Sequence, residues 1–228
     1  MAITVTSRRP PITGRVFVAG TDTGVGKTHV TATWASRWRH AGRDVGVYKP
    51  VASGGVPNPD AARLAAAAGM PDRIDDVCPL QFREPLSPPA AARREGRRYT
   101  LKTLVDHFAV WEADDGVLIE GAGGLFSPIT DDDLNIDLAA VLDVDELILV
   151  AADRLGVQHQ VLACIHAAAA RGRPVTGIVL NRIDDGEDRS VETNRYWIER
   201  FTDVPIVESF GFLHPGGPTA VEAKTEPD

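Results

Sequence analysis

Short apolar, β-branched runs alternate with longer stretches of helical period along most of the chain. The runs at 16–19, 45–48, 117–119, 147–151, 175–180 and 205–207 are apolar at nearly every position rather than every second one. Such strands are expected to be covered on both faces. Between them the periodicity predicts helices over 27–41, 60–68, 101–111, 136–142, 157–171 and 191–201. Strands separated by helices predict a doubly wound α/β fold, a mostly parallel sheet with helices on both faces. In such a fold ligands lie beyond the carboxyl ends of the strands. The pattern fades at both ends of the chain. Residues 1–14 carry Pro10 and Pro11, and 215–228 are rich in Gly, Pro and Glu without any period. One domain over 15–214 is therefore expected, flanked by an extension and a disordered tail.

The first expected strand runs into "AGTDTGVGKTHV", residues 19–30. In a glycine-rich turn between strand and helix, successive backbone N–H groups point inward at phosphate oxygens, and the helix adds its positive end. Thr23, Gly24, Val25 and Gly26 would form the cradle, with His29 just inside the helix. Lys27 would reach the β- and γ-phosphates and the Thr28 hydroxyl would ligate magnesium. Five residues separate Gly20 from Gly26, one more than in the usual form of the motif. The motif implies a nucleoside triphosphate but does not separate a switch from a bond-making enzyme.

Two further stretches bear on that choice. "GVLIEGAGG" places Glu120 just beyond an apolar run, where its carboxylate would face the phosphate loop and help hold magnesium. Gly121, Ala122 and Gly123 would let the backbone approach the nucleotide closely. "VYKPVASGG" places Lys49 at the carboxyl end of the second strand, with Ser53 in a small-residue turn beyond it. A second lysine near the γ-phosphate suggests an acceptor that becomes anionic and must be held against an anionic phosphate. Asp60, in "NPDAARL", reads first as a helix N-cap and, more sharply, as a metal ligand.

Charge and cysteine content narrow the setting. The chain carries 24 Lys and Arg against 32 Asp and Glu, a formal −8, which argues against a nucleic-acid surface. Arg93, Arg94, Arg97 and Arg98, interrupted by Glu95, read as a solvated helix end. Cys78 and Cys164 stand far apart without metal-ligand spacing and read as reduced thiols of a cytoplasmic protein. No apolar stretch approaches the ~20 residues of a membrane span.

The blocks "GTDTGVGKT", "YKPVASG", "EPLSPPAAA" and "EGAGGLFSP", with a weaker "DRLGVQH", resemble the dethiobiotin synthetase family over roughly residues 15–181. The family's loop has the same five-residue spacing. The resemblance implies an ATP- and magnesium-dependent ligase that joins carbon dioxide to the two amines of 7,8-diaminononanoate and closes a cyclic urea. It further implies that Lys27 and Lys49 stabilise the carbamate and the transferring phosphoryl group, and that Ser53 meets the diamine. Thr28, Asp60 and Glu120 would hold magnesium, and Asn181 with Gly211, Phe212 and Leu213 would lie against the base. A homodimer with shared sites is expected, with Leu155, Gly156 and Val157 at a helix start taking the substrate's carboxylate tail. The chain departs from the family at Pro89, commonly His, and at Gln158, often Asn. A partitioning-type ATPase switch is the rival reading. Such switches carry a lysine near the start of the loop, where this chain has Thr21, Asp22 and Thr23. A glutamine-dependent amidoligase would need an attached glutaminase domain, for which the chain is too short.

Overall fold

The computed structural model describes residues 14–111 and 116–212. Most of the expected extension, the expected tail and Leu213 lie outside that range, whereas Gly14 opens the first strand. In chain order the elements are β1 (Gly14–Gly20), α1 (Lys27–His40), β2 (Val45–Tyr48), β3 (Val51–Ser53), α2 (Pro59–Ala67) and α3 (Ile74–Val77). Next come β4 (Leu80–Phe82), α4 (Pro88–Arg94) and α5 (Leu101–Phe108), which tightens into a 3₁₀ turn at Ala109–Trp111. The remainder is β5 (Gly116–Gly124), α6 (Asn135–Val141), β6 (Glu146–Ala152), α7 (Val157–Ala170), β7 (Gly177–Asn181), α8 (Val191–Phe201) and β8 (Ile206–Phe210).

All six expected strands join one parallel sheet, in the order β2-β5-β1-β6-β7-β8. The first strand in the chain is thus central, between β5 and β6. Every residue from Val16 to Gly20 is buried, as is all of β2 and β7, so the continuous apolar runs do reflect cover on both faces. Helices α1 and α2 pack together, as do α5 with α6 and α7 with α8. The loop after β1 consequently opens at the carboxyl edge in the crevice between two neighbouring strands.

Four elements were not expected. After Tyr48 the chain leaves the main sheet and β3 pairs with β4 in a separate two-stranded parallel sheet, Val51 opposite Leu80 and Ser53 opposite Phe82. This small layer carries its own apolar cluster of Ala52, Ala61 and Cys78. α3 and α4, of four and seven residues, complete the excursion. The arginines at and just after the end of α4 are exposed, as a solvated helix end requires, and two make surface contacts: Arg93 pairs with Asp131 at 2.9 Å and Arg97 stacks over Phe82.

Two boundaries differ from expectation in ways that matter for the site. The N-cap of α2 is Asn58, whose side chain accepts from the N–H groups of Asp60 and Ala61, with Pro59 at the first helical position. The N-cap reading of Asp60 is therefore corrected: its carboxylate is released for other partners. And β5 does not end before Glu120 but runs on through Gly124, with Glu120 opposite Val18 and Gly124 opposite Gly20. The glycines past Glu120 carry no side-chain pattern, yet their backbone still pairs.

That extension is held by Asn135 at the start of α6, 1% exposed. Its amide donates to the carbonyls of Ala122 (2.8 Å), Gly124 (2.9 Å) and Ser127 (3.1 Å), and its Oδ1 accepts from Ala122 N–H (3.0 Å). A Cβ at Gly121 would stand 2.7 Å from that Oδ1, so glycine is what allows the amide to come this close. Asn135→Leu would strip several backbone groups of partners at roughly 1–3 kcal/mol for each buried one. We expect a loss of about 3 kcal/mol, read as a lower urea midpoint at unchanged slope. An unaltered midpoint would show that β5 needs no such tie.

Candidate active site

Residues 20–28 wrap from β1 into α1. Thr21 N–H donates to Val150 O and Leu125 N–H to Gly20 O, which bind the loop's base to the strands on either side. Gly24 and Gly26 take positive φ, +76° and +91°, as inward-pointing N–H groups require. At Gly26 the constraint is doubled, because a Cβ there would run into the side-chain amide of Asn181. That amide donates to Val25 O at 2.9 Å and clamps the loop from behind. Val25 itself points into the core and is 2% exposed. Lys27 is buried, its Nζ 3.4 Å from Asp22 O. Burial, aided by the like charge of Lys49 and opposed by Glu120, lowers its pKa to about 8.

Glu120 is fully buried in the middle of β5. One carboxylate oxygen, Oε1, accepts from Lys49 Nζ at 2.5 Å and from Thr28 Oγ1 at 2.8 Å. The other, Oε2, is buried with no hydrogen-bond partner among the described residues. Burial alone would raise the pKa of Glu120, but the charge and hydrogen bond of Lys49, the charge of Lys27 and the Thr28 hydroxyl outweigh it and hold the carboxyl below its usual range. Burial would likewise discharge Lys49, and Glu120 and Asp60 together reverse that. Asp60, half-exposed on α2, stands 3.8 Å from Lys49 Nζ. The backbone N–H of Lys49 is fixed on Val77 O at 2.7 Å. Two lysines, two carboxylates and a hydroxyl thus converge from β2, α1, α2 and β5.

These groups line a cleft of about 330 Å³ with Thr23, Gly24, Gly26, His29, Ser53, Arg63 and the Gly121–Ala122–Gly123 backbone. A second cleft, of about 530 Å³, shares Thr23, Ser53, Ala122 and Gly123 with it and continues past Pro85, Leu86, Pro88, Ser127 and Pro128. Ser53 stands where the two meet, its hydroxyl donating to Leu86 O at 2.6 Å.

Other expected residues lie elsewhere. Gly211 is exposed beyond β8 and Phe212 half-buried, while Leu213 is outside the described residues. Leu155, 80% exposed, and Gly156, at φ +93°, precede α7, and Val157 is buried at its first position. None of the three lines either cleft, and the Leu155 N–H already donates to Asp188 Oδ2 at 2.7 Å. The sequence reading missed Asn135 and Arg63. Polar residues at a helix start or on an exposed helix face carry no signal of what they meet. Asn58 could have been found, since Asn before Pro is a helix-start pattern.

Comparison with known proteins gives this geometry a context. A family model described as an AAA domain matches residues 14–214. The chain is 48% identical, over 90% of its own length and 86% of the relative's, to the ATP-dependent dethiobiotin synthetase BioD of Rhodopirellula baltica. It is 40% identical to the protein of the same name from Bacillus thuringiensis strain Al Hakam, over 86% of this chain and 83% of that one. Among solved structures it is similar to the signal recognition particle 54 kDa protein of Aeropyrum pernix K1 in complex with GDP, at a TM-score of 0.50 and 18% identity, over 90% of this chain and 43% of that one. That likeness speaks to the fold alone, a parallel sheet with a phosphate loop. With the loop, the second lysine and the buried carboxylate in one cleft, the relatives agree with the residues: the chain belongs to the ATP-dependent dethiobiotin synthetase family.

Proposed function

We propose that this chain makes dethiobiotin from 7,8-diaminononanoate, carbon dioxide and ATP, as a ligase of biotin biosynthesis. The observation that carries the reading is Lys49: a buried cation off the phosphate loop, paired to Glu120 in the polyphosphate cleft, which adjoins the second cleft at Ser53. A nucleotide switch has no need of it. The second cleft, walled by Pro85, Leu86, Pro88 and Pro128, suits an aliphatic chain with its diamine toward Ser53.

The chemistry follows from the charges. One amine takes up carbon dioxide, forming a C–N bond and releasing a proton. The resulting carbamate is an anion that must approach an anionic γ-phosphate, and Lys27 and Lys49 lower that repulsion. A carbamate oxygen attacks the γ-phosphorus as ADP leaves. The second amine then attacks the carbamoyl carbon and gives up a proton, phosphate departs with the carbamate oxygen that had attacked phosphorus, and the urea ring closes with the carbonyl oxygen retained. Loop N–H groups around Gly24 and Gly26 hold the phosphates in line, which is where most of the rate enhancement in phosphoryl transfer originates.

Thr28, Asp60 and Glu120 offer a hydroxyl and two carboxylates, the hard oxygen donors magnesium prefers, and the unpartnered buried Oε2 of Glu120 supports that fit. Bound there, magnesium would offset charge on the β- and γ-phosphates. Asn181, at the end of β7, keeps its Oδ1 and one N–H for the base after bonding Val25 O. The free thiols of Cys78 and Cys164 favour a reducing, cytoplasmic setting. Among the described residues no helix is long and apolar enough to cross a membrane.

Purified protein given ATP, magnesium, bicarbonate and diaminononanoate should yield dethiobiotin, with ATP turnover negligible when the diamine is left out. Diamine-independent hydrolysis with no dethiobiotin would return the chain to the switch class. Lys49→Gln keeps a donor to Glu120 but no charge, and should lower kcat by about 100- to 1000-fold with little effect on ADP binding. Asp60→Asn should instead shift the magnesium titration to higher concentration. Near-normal turnover in the first variant, or an unmoved titration in the second, would remove the role assigned.

The Lys27 pKa of about 8 gives a pH dependence with a definite sign. Below about pH 8 the free protein presents a cation to the triphosphate; above it, an amine. Bound phosphates restore the charged form, so ATP binding should take up protons and weaken as pH rises through 8. Calorimetry in buffers of different ionisation enthalpy measures this uptake, and Lys27→Met should abolish it. Proton uptake that persists in that variant would assign it to another group.

For assembly we infer a homodimer in which Leu155, Gly156 and Val157, which line neither cleft of their own chain, close the substrate groove of the partner chain. The exposed Leu155 at the entry to α7 supports this placement. Light scattering should give twice 24.5 kDa, and mixing Lys27→Ala chains with Gly156-altered chains should restore activity. A fully active monomer would rule it out.

A further inference from the structure

Arg63 lies one helical turn beyond Asp60 on α2 and lines the polyphosphate cleft beside His29. Its Nη2 stands 3.2 Å from His29 Nδ1. A guanidinium can only donate, so Nδ1 accepts and the ring is neutral with its proton on Nε2. The surroundings agree: partial burial and then the charges of Arg63 and Arg37 hold His29 below its usual pKa, against a smaller pull from Glu208. On its far side the His29 ring meets Phe210 edge-on at 5.0 Å. His29 is therefore wedged between α2 and the end of β8 and cannot swing freely.

The other arginine of this region shows what is unusual here. Arg37 lies over Phe210 and is neutralised by Glu208 at 2.5 Å, which also takes Trp34 Nε1 at 2.6 Å. Arg63 has no carboxylate partner among the described residues. Asp60, the acid nearest to it along α2, faces Lys49 instead. An exposed arginine ordinarily finds an acid or lies free in solvent. This one is docked on a neutral ring at the wall of a cleft built for a polyanion.

Its position along the cleft tells which phosphate it meets. Lys27 and Thr28 address the β- and γ-phosphates, and Glu120 and Asp60 gather on the same side. His29 follows them on the first turn of α1 and leans toward Phe210 at the end of β8, away from the side where Glu120 and Asp60 gather and toward the residues that the family resemblance sets near the base. We propose that Arg63, positioned by His29, binds the α-phosphate of the nucleotide and so sets the affinity for ATP and ADP alike. The proposal rests on reading this cleft as the nucleotide site.

Arg63→Met keeps most of the aliphatic stem and removes the charge. Titration of the magnesium complexes of ATP and ADP should show both Kd values raised by the same factor, about tenfold, the low end for a charged hydrogen bond because the side chain is exposed. The kcat at saturating ATP should stay within about twofold of wild type. Arg63→Lys should fall between the two, since a point charge lacks the fork. His29→Phe, which keeps the ring contact and loses Nδ1, should weaken both nucleotides to a lesser and equal extent. An unchanged ADP Kd, a loss confined to ATP, or a fall in kcat at saturation would overturn the assignment. The ADP measurement needs no diamine. A wild-type protein that binds ADP but forms no dethiobiotin would thus refute the reaction while leaving the Arg63 assignment standing.

Discussion

A carboxylate in the middle of a central β-strand is the constraint around which the rest is arranged. Glu120 has no solvent access, and a charge so buried is sustained only by partners of good geometry. Both partners reach the same oxygen: Lys49 from the end of β2 and Thr28 from the first turn of α1. Three segments far apart in sequence are therefore drawn to one point, and each has its own reason to be there. The N–H of Lys49 is fixed on Val77 O, Thr28 is delivered by the left-handed turn at Gly26, and Glu120 is carried by pairing with β1. Removal of Lys49 or Glu120 leaves the other as a poorly compensated buried charge rather than a simple gap. The second oxygen has no hydrogen-bond partner among the described residues, which leaves it open to a ligand.

The same arrangement separates two kinds of binding in one crevice. Toward α1 the walls are backbone N–H groups, lysines and a neutral imidazole, suited to phosphates. Beyond Ser53 they are prolines and Leu86, suited to methylenes. The glycine-rich end of β5 forms the partition, and it is kept thin because Gly121, Ala122 and Gly123 put almost no side chain between the two spaces. Asn135 stiffens that partition from behind, spending all of its amide on backbone groups of β5 and the turn after it. A partition without side chains would otherwise be the most mobile part of the site, because glycine has the most conformational freedom to lose. Thr23, Ser53, Ala122 and Gly123 line both clefts, so groups held in the two spaces meet along this edge.

The main sheet was legible because its strands are buried on both faces and so appear as unbroken apolar runs; all six were placed, as were α1, α2, α5, α6, α7 and α8. The β3–β4 layer was not, since three-residue strands and the four-residue α3 hold too little of a period to be seen, and α4, PPAAARR, is a run of Pro and Ala without one. Lys49 and Glu120 could be picked out as charges at the ends of apolar runs, but not their pairing, which joins positions 71 residues apart. The end of β5 was misplaced because pattern reading follows side chains and glycine has none. For Asp60 the error was one of competing caps: Asn58 with Pro59 behind it makes the better helix start, and an N-cap reading of Asp60 overlooked the residue two places earlier. Arg63 and Asn135 were silent because their significance lies wholly in what stands opposite them.

Asn181 ties the phosphate loop to the sheet. Inward-facing N–H groups repel one another, which favours relaxation of such a loop. Here the relaxation is opposed from behind. The Asn181 amide occupies the space a side chain at position 26 would take and bonds Val25 O, so the peptide between Val25 and Gly26 is kept facing the cleft. Asn181 is itself fixed as the last residue of β7, its carbonyl taking the N–H of Asp153 at the end of β6. The sheet thus contributes directly to the loop's conformation. Organisation that exists before binding does not have to be supplied by binding energy, which leaves that energy for the transition state. A residue that also offers its free Oδ1 to the base would connect the two ends of the nucleotide through one rigid amide.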